Sequence, residues 1–131
     1  MGSHSAWIAA LGRVLIAAIF LYSGFGKIMA PEGTQAYIAS AGLPLPIVGY
    51  VLAIIVEVGG GILLLIGYQT RHVALIIALY SIVAAFAFHN QFADQNQLIH
   101  FMKNFCIAGG LLQIVAFGAG SMSVDARRAA R

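Results

Sequence analysis

Charged side chains are scarce in this sequence of 131 residues, of which seven are Lys or Arg and four are Asp or Glu. They make up 8% of the chain, whereas soluble domains carry about a quarter charged residues. So few charges cannot cover a water-soluble globule of this size, which excludes a soluble enzyme. The net charge of +3 is small, and no basic run precedes the last five residues, which excludes a nucleic-acid module.

Cysteine is equally scarce. Cys106 stands alone, so an intramolecular disulfide is excluded, and the thiol is interpreted as a small packing residue. Hydrophobic residues, by contrast, make up 61% of the chain, and its mean hydropathy is +0.93. The composition therefore indicates a membrane protein, and the mass of 13.8 kDa leaves room for one domain.

Four stretches are long and apolar enough to cross a hydrocarbon core of about 30 Å as helices. They run from Ala6 to Met29, Val48 to Tyr68, His72 to Asn90 and Leu98 to Gly118. The connection over residues 30–47 is long enough for a short interfacial helix, which would begin at Pro31 and end near Gly42. The sequence therefore predicts an all-α fold, a transmembrane four-helix antiparallel bundle with an interfacial helix between helices one and two.

The domain organisation follows from these spans. Residues 1–5 are interpreted as the remnant of a tag, 6–125 as the membrane domain and 126–131 as a basic cytoplasmic tail. Positive charge in short loops marks the cytoplasmic side. The residues that fall on one side are Arg71, Arg127, Arg128 and Arg131. Both termini are therefore predicted to be cytoplasmic.

Each span carries a face of small or polar residues, which predicts the side that packs in the bundle. Glu57 is the most informative of them, because a carboxylate near the middle of a span normally faces protein. The four predicted faces are Arg13, Ala17, Phe20, Gly24 and Lys27; Gly49, Ala53, Glu57 and Gly61; Ala74, Ala78, Ser81 and Ala85; and Lys103, Cys106, Gly110 and Gln113.

The buried charges predict a polar seam in which Glu57 pairs with Lys103, Arg13 or both. Three cations, the third being Lys27, face one carboxylate, and such a surplus suits an anionic ligand. We assign catalytic roles to Glu57 and Lys103, and we assign ligand binding to Arg13, Lys27, His89, His100 and Asn104. The two histidines are interpreted as interfacial residues, and no metal site is predicted.

The sequence resembles the DoxX family of small four-helix membrane proteins over nearly its whole length after residue 5. The resemblance rests on Arg13, Ser23 to Lys27, Gly42-Leu43-Pro44, Glu57 with Gly60-Gly61, Gly67 with Thr70-Arg71, Lys103 with Gly109-Gly110, and Gly118 to Asp125. It implies an inner-membrane protein of bacteria or archaea. Some members are subunits of membrane oxidoreductases linked to thiosulfate, thiol or quinone chemistry.

Three functions are compatible with these features. The first is a membrane subunit of an oxidoreductase assembly, not catalytic by itself, that binds a quinone or a small sulfur-containing or anionic ligand in the charged seam. The second is a scaffold or assembly factor whose charge network is purely structural. The third is a small proton-coupled transporter, which is disfavoured because cations outnumber the single membrane glutamate. Besides lipid, a protein partner or a second copy is expected, and no nucleic acid.

Overall fold

The computed structural model describes residues 3–130, which are mostly helical and contain no β-strand. The helices are α1 (Ser3–Met29), α2 (Pro31–Ser40), α3 (Pro46–Ile66), α4 (Thr70–Phe88), α5 (Gln95–Phe117) and α6 (Val124–Ala129). Four of these, α1, α3, α4 and α5, are long and apolar enough to span a membrane. The predicted fold class is therefore confirmed, including the short helix between the first two spans.

The four spans alternate in direction, so the described ends of the chain lie at the same end of the bundle. We call this end, where α1 starts and α6 lies, the termini end, and we call the opposite end the loop end. At the termini end, Arg13 Nη1 of α1 donates a hydrogen bond to the carbonyl of Ala119, which lies in the segment after α5. The division into residues 1–5, 6–125 and 126–131 stays a prediction.

The core between α1, α3 and α4 combines alanines with larger apolar side chains. The buried residues include Ala17 and Phe20 of α1, Leu64 of α3, and Ala74, Ile77 and Ala78 of α4. Ser81 and Ala85 continue the buried face of α4. The faces predicted for these three helices are thus the ones that pack.

The face predicted for α5 packs only in part. The buried residues of α5 are Ala108 and Leu111, whereas Lys103, Cys106 and Gln113 are exposed. Gly110 of the predicted face is partly buried next to α1, since a Cβ atom on it would lie 3.4 Å from Ile16 Cδ1. Residues are offset by about 100° per position around a helix, so a helix that packs through Ala108 and Leu111 turns Lys103 and Cys106 away from the bundle. Packing an apolar pair also avoids burying the lysine ammonium without a carboxylate.

Helix α3 changes its winding where it crosses the middle of the bundle. Residues Ile55–Gly60 form a π-helical turn between α-helical segments, and this turn contains Glu57. A π-turn adds a residue to the helical turn and changes the direction of the side chains around it. Such turns are frequent at functional sites. The carboxylate is about 16 Å from the Pro46 end, near the midpoint of the helix.

Candidate functional site: a carboxylate cluster inside the bundle

The site consists of four side chains from three helices, which we call the Glu57 cluster: Ser23, Lys27, Glu57 and Tyr80. Lys27 Nζ lies 3.0 Å from Glu57 Oε1 and donates also to Ser23 Oγ at 2.8 Å. The Tyr80 hydroxyl donates to Glu57 Oε2. Each carboxylate oxygen of Glu57 therefore has its own donor, one cationic and one neutral.

The cluster is closed around the carboxylate and open around the lysine. The side chain of Glu57 is 3% exposed, whereas that of Lys27 is 28% exposed. Tyr80 is half-buried. The lysine and the tyrosine are therefore the partly exposed groups next to the buried carboxylate.

Close contact between α1 and α3 holds the cluster together. A Cβ atom on Gly24 would lie 2.7 Å from Val58 Cγ2 and 3.0 Å from Glu57 Cβ, so only glycine fits between the helices here. This approach lets Lys27, one helical turn beyond Gly24, reach Glu57 from the end of α1. Tyr50 reinforces the arrangement, because its hydroxyl donates to the Lys27 carbonyl at 2.9 Å.

A second polar group lies between α4 and α5 at the loop end. The rings of His89 and His100 stack with their centroids 5.2 Å apart. Burial and the nearby charge of His100 lower the pKa of His89, which therefore favours the neutral imidazole. Farther from the loop end, Asn104 Nδ2 of α5 donates a hydrogen bond to the carbonyl of Ser81 in α4 at 3.1 Å. Ser81 follows Tyr80 directly in the sequence. Within residues 3–130 no group of metal-ligating side chains large enough for an ion is found.

A third polar group, at the termini end, is bound to the backbone. The guanidinium of Arg13 donates to the carbonyls of Ala119 at 2.5 Å and Met122 at 2.9 Å, and the residue is 4% exposed. Asp125 accepts bonds from the amide nitrogens of Gln69 and Thr70, both at 2.8 Å. These contacts fasten the end of the chain over the bundle.

Asp125 is held in its ionised form by these donors. Burial raises the pKa of Asp125, but the hydrogen bonds from Thr70 and Gln69 and the charge of Arg128 lower it by more. The net effect is a pKa below the usual value of an aspartate. The charge compensates the unpaired amides at the start of α4.

The structure does not bring the predicted seam together as one site. Glu57 is buried and paired, as predicted, but its cation is Lys27, and neither Lys103 nor Arg13 takes that place. Arg13 is bound to carbonyls at the termini end. Lys103 is exposed on α5, because the packing of α5 turns this side chain outward. The expected pairing of Glu57 with Lys103 or Arg13 is therefore wrong.

The sequence reasoning missed Tyr80 and the serine beside Lys27. A signal for Tyr80 was present, since tyrosines in membrane helices concentrate at the interfaces and a hydroxyl in mid-span needs a hydrogen-bond partner. Tyr80 stands well inside the third span, one residue before Ser81. The π-turn had no comparable signal in the sequence.

The fold and the site define a class, that of four-span integral membrane proteins with a carboxylate, lysine and tyrosine cluster in the bundle. The chain belongs to the DoxX family, whose model matches residues 8–90. The matched part includes Ser23, Lys27, Glu57 and Tyr80, so the whole cluster lies within it. The expected family is confirmed.

Two relatives from Escherichia coli (strain K12) match almost the whole chain. Inner membrane protein YqjF is 39% identical over 88% of this chain and 87% of its own length. Inner membrane protein YphA is 34% identical over 89% of this chain and 87% of its own length. A Bacillus subtilis (strain 168) protein named "Putative oxidoreductase CatD" is 40% identical over 51% of this chain and 48% of its own. No solved structure matches the chain.

Proposed function

We propose that this protein is a membrane subunit of an oxidoreductase assembly that binds a quinone beside the Glu57 cluster. The observation that carries the proposal is a buried carboxylate whose two donors, Lys27 and Tyr80, are both partly exposed. A quinone carbonyl placed here would accept a hydrogen bond from Lys27, whose ammonium uses two of its three N–H groups within the cluster, or from Tyr80 once its hydroxyl turns away from Glu57. The name of the partial Bacillus relative supports an oxidoreductase role.

The proposed chemistry is proton transfer coupled to redox change in a partner. Reduction of a quinone to a quinol takes up two electrons and two protons. The electrons come from a redox-active partner subunit, and Glu57 relays the protons through Tyr80 or Lys27. Oxidation of the quinol reverses both flows. The cluster positions donors and a carboxylate and supplies no electrons, so the subunit is not catalytic alone.

The other predicted site residues lie away from the carboxylate, and each has a different role in this proposal. Asn104 ties α5 to α4 beside Tyr80, so it shapes the side of the cluster that faces α5. His89 and His100 lie at the loop end, where a polar headgroup or an anion would enter. Lys103 would attract an anionic ligand from its exposed position on α5.

Ligand-induced stabilisation in lipid nanodiscs tests the proposal. Decylubiquinone should raise the midpoint of thermal unfolding, since a ligand that binds the folded state alone stabilises it. Tyr80→Phe should weaken this effect, whereas Tyr37→Phe, which removes an exposed hydroxyl elsewhere, should preserve it. Thiosulfate titration under the same conditions examines the anionic alternative. A midpoint that neither compound changes would refute ligand binding.

A structural scaffold is the second candidate, and one observation favours it. The Glu57 cluster satisfies its own hydrogen bonds, since both carboxylate oxygens already have donors. In that case Tyr80→Phe lowers stability with and without quinone by the same amount. A partner's redox activity would then depend on the fold of the subunit and be indifferent to the Tyr80 hydroxyl.

We place the partner subunit on the exposed polar face of α5, which carries Lys103, Cys106 and Gln113. A lysine in a membrane span costs about 2.5–3.5 kcal/mol near the bilayer centre, and a partner that pairs with it removes part of that cost. Cys106 tests the alternative of a second copy, because a symmetric α5 contact would form a disulfide between copies under mild oxidation. Such a contact would also bring two Lys103 side chains together, so we expect no cross-link.

We propose further that the protein lies in the inner membrane with both termini in the cytoplasm, in line with the basic residues at the termini end. Single cysteines placed at Gln95 and at Ala130, in a Cys106→Ala background, report the orientation. A membrane-impermeant thiol reagent added outside should label position 95 and leave position 130 unlabelled. The reverse pattern would contradict the orientation.

A further inference from the structure

A cavity of about 480 Å³ opens at the termini end, between the start of α4 and the end of α5. We call it the Arg71 cavity. The polar groups that line it include Arg71, His72, Ser121 and the backbone of Gly118 and Gly120. It is separate from the Glu57 cluster, which lies near the middle of the bundle.

The backbone around the cavity is shaped so that Arg71 lies across the turn after α5. Gly118 and Gly120 both have positive φ, 83° and 87°, which favours glycine. A Cβ atom on Gly118 would lie 3.2 Å from Nε and Nη2 of Arg71. The Nε–Nη2 edge of the guanidinium therefore packs on bare backbone, which fixes Arg71 at the cavity wall.

The charges near the cavity leave Arg71 free for an external anion. The ion pair formed within residues 3–130 joins Lys27 to Glu57, so Arg71 has no carboxylate partner in that range. Asp125 also lines the cavity, but its oxygens accept bonds from Gln69 and Thr70. Its negative charge is therefore directed at the start of α4.

We propose that the Arg71 cavity binds the phosphate group of an anionic phospholipid headgroup. An arginine fork matches phosphate oxygens, and a basic pocket between membrane helices at the interface is a typical headgroup site. The cavity lies where two spans end, which is the level of the headgroups. Phe117, which is 74% exposed, also lines it and offers an apolar surface to the lipid's acyl chains.

Lipid titration in nanodiscs tests the site. The protein is placed in phosphatidylcholine with increasing phosphatidylglycerol, and bound phosphatidylglycerol is counted by native mass spectrometry. Arg71→Gln should weaken binding about tenfold or more, the effect of losing a direct hydrogen bond to a charged group. Arg127→Gln removes the same charge from α6, outside the cavity lining, and should weaken binding less than twofold.

Two further arms identify the ligand and the contact. Arg71→Lys keeps the charge but loses the fork, so its affinity should lie between those of the native protein and Arg71→Gln. Soluble glycerol phosphate should not displace the lipid. Equal losses for Arg71→Gln and Arg127→Gln would overturn the site in favour of diffuse surface charge. Full displacement by glycerol phosphate would overturn the lipid as ligand in favour of a free phosphate ester.

Discussion

Removal of one member of the Lys27–Glu57 pair should destabilise the bundle in an asymmetric way. The loss of one partner from a buried ion pair costs about 3–5 kcal/mol, because the remaining charge is left uncompensated. In Glu57→Gln the remaining charge is Lys27, whose side chain is 28% exposed and can regain water. The cost should therefore fall near the lower limit, about 3 kcal/mol.

Lys27→Met leaves the more costly group behind. The carboxylate of Glu57 is 3% exposed and cannot rehydrate in place, so the variant should lose more stability than Glu57→Gln does at neutral pH. The Tyr80 hydroxyl would be its last donor in the cluster.

The assay is reversible unfolding of the protein in mixed micelles, followed by helical circular dichroism. The double variant Lys27→Met/Glu57→Gln completes a thermodynamic cycle, and its loss should be smaller than the sum of the two single losses. Glu32→Gln removes an exposed carboxylate from α2 and serves as the control. If Glu57→Gln costs no more than Glu32→Gln, or if the two cluster losses simply add, the ion pair does not stabilise the bundle.

Two other predictions concern the helix contacts. Gly24→Ala should destabilise the protein by about 1–3 kcal/mol, because the new methyl group would overlap Val58, whereas Gly26→Ala, with open space around it, should have little effect in the same unfolding assay. The lowered pKa of Asp125 predicts a stability contribution that is complete above the unfolded pKa of 3.8 and is lost as the pH falls through the lower folded pKa. Asp125→Asn should remove this acid-dependent part, and an unchanged pH profile would contradict it.

The strongly apolar composition of the chain made its fold predictable from the sequence. A span must satisfy its backbone internally, so four long apolar stretches with short connections leave few alternatives to a helical bundle. Small-residue faces then located the contacts of α1, α3 and α4, because close packing is the main source of helix association in lipid. Glu57 could be placed in the interior for the same reason.

The orientation of α5 and the partners of Glu57 could not be predicted in this way. A small or polar stripe indicates a contact but not which molecule supplies it, and the stripe of Lys103 and Cys106 faces outward from this chain. Depth along separate helices favoured Lys103 and Arg13 as partners of the carboxylate and did not select Lys27. The close approach at Gly24 and the π-turn bring Lys27 to Glu57 instead, and both depend on three-dimensional packing.

The chemistry of the hydrogen-bond partners separates the buried polar groups by the role each can have. Arg13 donates to backbone carbonyl oxygens, which do not titrate, so these hydrogen bonds serve to hold the chain together at the termini end. Glu57 is held by the side chains of Lys27 and Tyr80, which are both partly exposed and can change partners when a ligand binds. The π-turn that carries Glu57 also gives α3 an irregular backbone at this point. The Glu57 cluster is therefore the buried polar group suited to respond to a ligand, whereas the contacts of Arg13 serve to hold the chain together.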